Sequence, residues 1–288
     1  VAPKIDDRME AKRQLLLLDR LDSSADRNAI DNDYKARILQ YGRSAKSTEM
    51  GLDYARFLAF ERKQPQLART ELQLYLDAMT NPYSLARIRL VLGDILVYEE
   101  RFNEALITYA QVQSALKNDV LAQEARFRGA QTSYFKGDFA WAQTQLKVLK
   151  SASTQKMAND ALALNLLISD NTVEDSTQTG LKAFAYAHLL MHQNRSSEAI
   201  KAFKALLETQ KGTRIEDDAL FKLAELYQET GQFDLAKTSL EALLDHYSDG
   251  VLADDAHFSL AKLLEGPLNA KQDAMTHYEN IIFNHTNS

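Results

Sequence analysis

The chain has 288 residues, is 45% apolar and sets 34 Lys/Arg against 40 Asp/Glu, a net charge of −6. It can therefore build an extensive core and is not a disordered chain, and no run of Lys or Arg would neutralise neighbouring phosphates, so nucleic acid is not an expected partner. The absence of Cys excludes disulfides, thiolate catalysis and Cys-ligated zinc.

No apolar run approaches the roughly 20 residues that cross a bilayer, so membrane insertion is not expected. With only 10 Gly and 4 Pro, and with helix formers dominant, the chain reads as all-α. It starts at Val1 without a charged-then-apolar leader pattern, so a processed fragment is the expectation.

In chain order, residues 4–21 and 27–42 each read as a helix, and 1–46 as an N-terminal pair or degenerate repeat. A short phrase then recurs: ERFNEALITY at 100–109, GDFAWAQTQL at 137–146 and GQFDLAKTSL at 231–240. Its setting is clearest at 219–243. There Leu220, Leu223, Ala224 and Tyr227 share one helical face, and Ala236, Leu240 and Leu243 share another. Gly231 can end the first helix in the left-handed conformation, and Asp234 suits the first turn of the second. The unit is an antiparallel helical hairpin whose small residues allow close approach.

Aligned on those small residues, first helices carry Ala55, Gly93, Ala130, Ala187, Ala224 and Ala261, and second helices Ala68, Ala105, Ala142, Ala199, Ala236 and Ala274. Four of the five first-helix intervals are 37 or 38 residues, a fixed period that marks a repeat array of six hairpins. The exception, 57 residues between Ala130 and Ala187, leaves room for an extra helix at 155–171. The expected organisation is 1–46, repeats over 47–154, extra helix and linker over 155–176, and repeats over 177–288.

These residues resemble the tetratricopeptide (TPR) repeat. Its pattern of Leu-small-x-x-Tyr, then Gly-x-Tyr/Phe-x-x-Ala, then an aromatic or Leu, is met at 217–250, at Gly137–Ala142, and at Leu92-Gly93 with Phe102, Ala105 and Tyr109. The hairpins at 183–207 and 254–283 are looser: Asn194 stands in for the turn Gly, and EGPLNAKQDA carries one extra residue. The resemblance implies an α-α superhelix, a TPR-like solenoid, acting as a non-enzymatic scaffold that holds a protein or peptide segment in a groove lined by first helices. The texture of 134–171 resembles long TPR proteins of Bacteroidetes, and the C-terminal repeats resemble envelope TPR proteins such as the TolA-binding and outer-membrane assembly lipoproteins. A periplasmic or envelope setting is what that implies, with a cytoplasmic one as the alternative.

Three positions before the small residue, the stripe reads Leu52, Leu90, Phe127, Phe184, Phe221 and Phe258. If exposed, these rings would anchor a partner, with Glu225, Gln228 and Glu229 as a polar rim and His188 and His192 beside them. The alternative is that they pack between neighbouring first helices. His188 and His192, one turn apart, are the only metal-like spacing and lack a third ligand in sequence, so they read as exposed groove histidines, and no metal or cofactor is expected. Some TPR proteins grip a C-terminal carboxylate with Lys and Asn in the groove. Here the matching sites hold Leu90 and Asp94, Phe127 and Gln131, Phe184 and His188, or Phe221 and Glu225, so no cationic fork is present.

DNTVED at 170–175 lacks the central Gly and closing Glu of a calcium loop and reads as a linker. Trp141 could serve as a ligand platform, but packing between hairpins is the expectation for a large, mostly buried residue type. No hydrolase, nucleotide or zincin motif appears; an enzyme-associated helical domain, or a metal site at His188 and His192, is the rival reading. Residues 213–288 hold fourteen Asp/Glu against five Lys/Arg, a charge that could equally steer a basic partner or be an ordinary solvated repeat face. The closing segment HYENIIFNHTNS carries Ile281, Ile282 and Phe283, so either some of them face inward or the native chain continues beyond Ser288.

Overall fold

A computed structural model describes residues 24–149, 154–172 and 177–284. The helix read at 4–21 lies outside these residues, as does part of the 170–175 linker. Among the described residues there are fourteen helices and no strand: α1 (Ser24–Tyr41), α2 (Thr48–Arg56), α3 (Pro65–Ala78), α4 (Pro82–Tyr98), α5 (Phe102–Ala115), α6 (Val120–Lys136) and α7 (Phe139–Val148); then α8 (Gln155–Asp170), α9 (Thr179–His192), α10 (Ser196–Thr209), α11 (Ile215–Glu229), α12 (Phe233–His246), α13 (Ala253–Glu265) and α14 (Lys271–Asn284). Helix α2 continues into a π-helical turn, Phe57–Glu61. Helix α8 is the extra element that the long interval required. None of the helices is long and apolar enough to cross a membrane.

The array is an all-α, TPR-like succession of helical hairpins, and it forms two compact units. One comprises the described residues up to Ser133 with Ala140–Leu162; the other comprises Tyr134–Phe139 with the described residues from Ala163 on. In the first, α2 pairs with α3 and α4 with α5, while α3 also packs on α4. In the second, the pairs are α9/α10, α11/α12 and α13/α14, with α10 on α11 and α12 on α13. The division between the units falls at the last turn of α6 and within α8.

All twelve register residues are buried. Their smallness is used directly. A Cβ built on Gly93 would lie 2.3 Å from the ring of Tyr109, and one on Gly51 would lie 2.3 Å from that of Tyr75. The first helix thus leaves space for a tyrosine from the second. The Tyr109 hydroxyl then donates to Asp94 at 2.8 Å, and that of Tyr75 to the Ser47 carbonyl at 3.2 Å.

The turn is equally regular. The residue two positions before α3, α5, α7, α10, α12 and α14 has positive φ in every case: Lys63, Glu100, Gly137, Asn194, Gly231 and Asn269. Behind it, the N–H of Arg101, Arg195 and Gln232 donates to Leu96, Leu190 and Tyr227 five residues back, which closes the helix in a Schellman motif. In two hairpins the small residues are offset by thirteen rather than twelve positions, Ala55 to Ala68 and Ala261 to Ala274. In these, Gln64 and Ala270 donate six residues back, to Leu58 and Leu264, and the surplus residue is absorbed in the π-helical turn or in the Gly266–Asn269 loop.

Helix α1 covers the first hairpin. Tyr34 stacks on Tyr54 and Phe57, with centroids 5.1 and 5.8 Å away, and the Tyr54 hydroxyl donates to Asp31 at 2.8 Å. One expectation is corrected. Trp141 is 56% exposed, because its neighbour Ala142 takes the inward position and a helix turns about 100° per residue. In the last helix Ile281 is half-buried, whereas Ile282 and Phe283 point outward.

Candidate partner-binding face

The first-helix stripe is not one exposed ladder. Leu52, Leu90 and Phe184 are buried; Phe127, which belongs to the first unit, and Phe221 are half-buried; Phe258 is 46% exposed. Phe184 is only 1% exposed and meets Phe203 of α10 edge-on at 5.4 Å, so it is a core residue and the expectation of an exposed anchor there fails. The stripe therefore divides into packing positions and one open position.

His188 is not an exposed groove histidine either. It is enclosed by Tyr134, Phe135 and Phe184, with centroids 5.8 to 6.1 Å away, and its Nδ1 lies 3.5 Å from the Tyr134 hydroxyl. Burial first, then Lys222 and His192, push its pKa down to about 4, so the ring is neutral at neutral pH. His192 is exposed and lies 5.4 Å from the Phe135 ring. Among the described residues no group of three or more His, Asp or Glu could hold a metal. The aromatic wall from the last turn of α6 was not foreseen, although Tyr134 stands one turn after Ala130 and so shares its inward face.

The groups that do assemble at a surface are on α11 and α13. Gln228 Nε2 donates to Ser259 Oγ at 3.0 Å, which ties the two helices. Around this link, Phe221 and Phe258 occupy matching positions, each one turn before a charged residue. Glu225, one turn after Phe221, pairs with Lys222 at 2.7 Å. Lys262, one turn after Phe258, lies over the Phe258 ring at 4.5 Å. Asp255 has its pKa raised by burial, then by Asp254 and Glu225, which places carboxylates of both helices in one field. Glu229 is exposed at the end of α11. The result is a shallow face with an open aromatic ring and an acidic surround. Ser259, Asp255 and Lys262 were missed by the sequence reading, which tracked only the stripe and its first rim.

A second acidic group lies at the start of α11. Asp218 accepts from Asn171 Nδ2 at 3.1 Å, and burial, then Asp217, raise its pKa to about 7. Glu216 Oε2 accepts from the Gly212 N–H at 2.5 Å and from the Tyr247 hydroxyl at 2.7 Å, which locks the loop before α11 to the end of α12. Asp94, at the position where a carboxylate-gripping groove would need a cation, is held by Tyr109 and by an ion pair with Arg128.

Residues 218–250, the hairpin that carries Phe221 and Glu225, match the family model described as Tetratricopeptide repeat. With the all-helical repeat, this match supports a TPR protein, a class whose repeats generally mediate protein–protein interactions and are typically non-enzymatic. A search of curated proteins finds no match.

Proposed function

We propose that this protein is a non-enzymatic interaction scaffold that holds a segment of a partner protein on the first-helix face of α11 and α13. The observation that carries the reading is Phe258. A large ring left 46% exposed at a position that is buried or half-buried elsewhere in the array offers an apolar contact, framed by Glu225, Gln228 and Glu229. The acidic surround favours a segment that combines apolar with basic residues. Phe221 borders this contact; Phe127 and Phe184 are left out of it, the latter because it is core, and His188 and His192 flank the aromatic wall rather than the face. A role in a bacterial envelope assembly rests only on the likeness of the repeats noted above.

The test is to recover proteins retained by the immobilised chain, identify them, and titrate each in purified form against wild type, Phe258→Ala and Glu225→Lys. A true partner should lose about 1–3 kcal/mol of binding energy in Phe258→Ala. A partner whose affinity neither substitution changes binds elsewhere and overturns this placement.

A further inference from the structure

The last hairpin brings two imidazoles together that no motif announces. His257 on α13 and His277 on α14 are both half-buried, and their Nδ1 atoms are 2.8 Å apart, with ring centroids 5.1 Å apart and planes inclined by 40°. At that distance one ring donates its Nδ1–H and the other accepts with an Nδ1 lone pair, so the two nitrogens face each other. Burial lowers the pKa of His277, with Lys237 acting in the same direction and Glu241 and Asp273 opposing it, which favours the neutral ring there. Glu241 from α12 and Asp273 from α14 also give the spot a negative field.

We propose that His257 and His277 form a two-imidazole chelate for a divalent transition metal of the Cu(II) or Ni(II) class. The separation fits that class. With metal–nitrogen bonds of about 2.0 Å, a separation of 2.8 Å subtends roughly 90° at the metal, the cis angle of a tetragonal or square-planar site, whereas a tetrahedral zinc would need the nitrogens roughly 3.3 Å apart. Among the described residues no third His, Asp or Glu completes a cluster, so water fills the remaining positions, as the partial exposure of both rings permits. Metal entry moves the shared proton to Nε2, because both Nδ1 lone pairs must be free. The site lies apart from His188, whose Nδ1 faces Tyr134.

Copper(II), nickel(II) and zinc(II) salts are each titrated into the full chain by calorimetry, and the copper complex is examined by electron paramagnetic resonance. The expected result is one tight Cu(II) per chain, with a tetragonal spectrum that shows two imidazole nitrogens and with affinity that falls steeply as pH drops and protons compete for the rings. Loss of a direct ligand costs no less than loss of a supporting hydrogen bond, so His257→Gln and His277→Gln should each weaken binding roughly tenfold or more, and His246→Gln should not. Both rings are partly exposed, and circular dichroism checks that the variants keep their helices. Binding that survives either substitution, or a spectrum with a single imidazole nitrogen, overturns the proposal.

Discussion

Replacing Gly93 by Ala sets two effects against each other, and the structure says which prevails. In the interior of α4 the substitution should by propensity stabilise the helix by up to about 1 kcal/mol. The added Cβ, however, would lie 2.3 Å from Cε1 and 2.5 Å from Cζ of Tyr109, far inside van der Waals contact. That ring is fully buried and its hydroxyl is held by Asp94 at 2.8 Å, so it cannot swing into solvent. Relief must come from helix displacement at an overpacking cost of about 1–3 kcal/mol, with strain on a buried hydrogen bond of about 1 kcal/mol added to it. The expected net effect is a loss of about 1–3 kcal/mol, measured by urea unfolding.

Gly129 of α6 provides the internal control. A Cβ there meets nothing closer than 3.9 Å, so Gly129→Ala should stabilise by about 0.5–1 kcal/mol. If Gly93→Ala stabilised the protein, or if both substitutions acted alike, the idea that a glycine seats a tyrosine from the second helix would be wrong.

Phe184→Ala should cost about 3–5 kcal/mol of folding stability in the same assay, while Phe258→Ala should cost under about 1 kcal/mol; equal losses would contradict the division of the stripe into core and face. Lys63→Gly should stabilise by about 0.5–1 kcal/mol, since a lysine is held there at φ 55°, and Gly231→Ala should destabilise by about 1 kcal/mol because its φ is 72°; the opposite order would remove the turn argument. Asp218 has a folded pKa raised to about 7 from 3.8, so its contribution to stability is full below about pH 4 and is lost as pH rises through 7. Asp218→Asn should therefore be more stable than wild type at pH 8, by about 1–3 kcal/mol after allowance for partial solvent access, and no more stable at pH 4. Identical differences at both pH values would show that the carboxyl titrates normally.

The repeat was legible because burial at the helix crossing depends on side-chain size alone. Only Ala or Gly fits between two close helices, so Ala224 and Ala236 announce the crossing wherever they recur. The turn was half legible: Gly137 and Gly231 advertise the left-handed conformation, but Glu100 and Lys63 adopt it without the residue type to show it. What holds them there is the helix pair on either side. The stripe misled because exposure is decided by the opposite helix. At Phe184 the second helix supplies the Phe203 ring at 5.4 Å, whereas at Phe258 it supplies Tyr278, at 6.2 Å and tethered to Glu265. His257 and His277 stand twenty residues apart on two helices, and the hairpin that joins them carries the surplus turn residue, so neither spacing nor register placed them together.

Specificity in such an array must come from departures from the period, since a repeated backbone presents the same ridge at every step. The departures on the described first helices gather in α11 and α13. The buried aromatic of α9 gives way to a half-buried Phe221 and then to an exposed Phe258. The position after it changes from an enclosed His188 to Glu225 and Lys262, and Gln228 and Ser259 join the two helices through side chains rather than packing. A segment seated across both helices would contact residues that differ from one step to the next, and so could bind in only one register. That requirement is met where apolar, acidic and amide groups alternate within a few residues. It is not met in the first hairpins, where Leu52 and Leu90 are both buried and identical in kind.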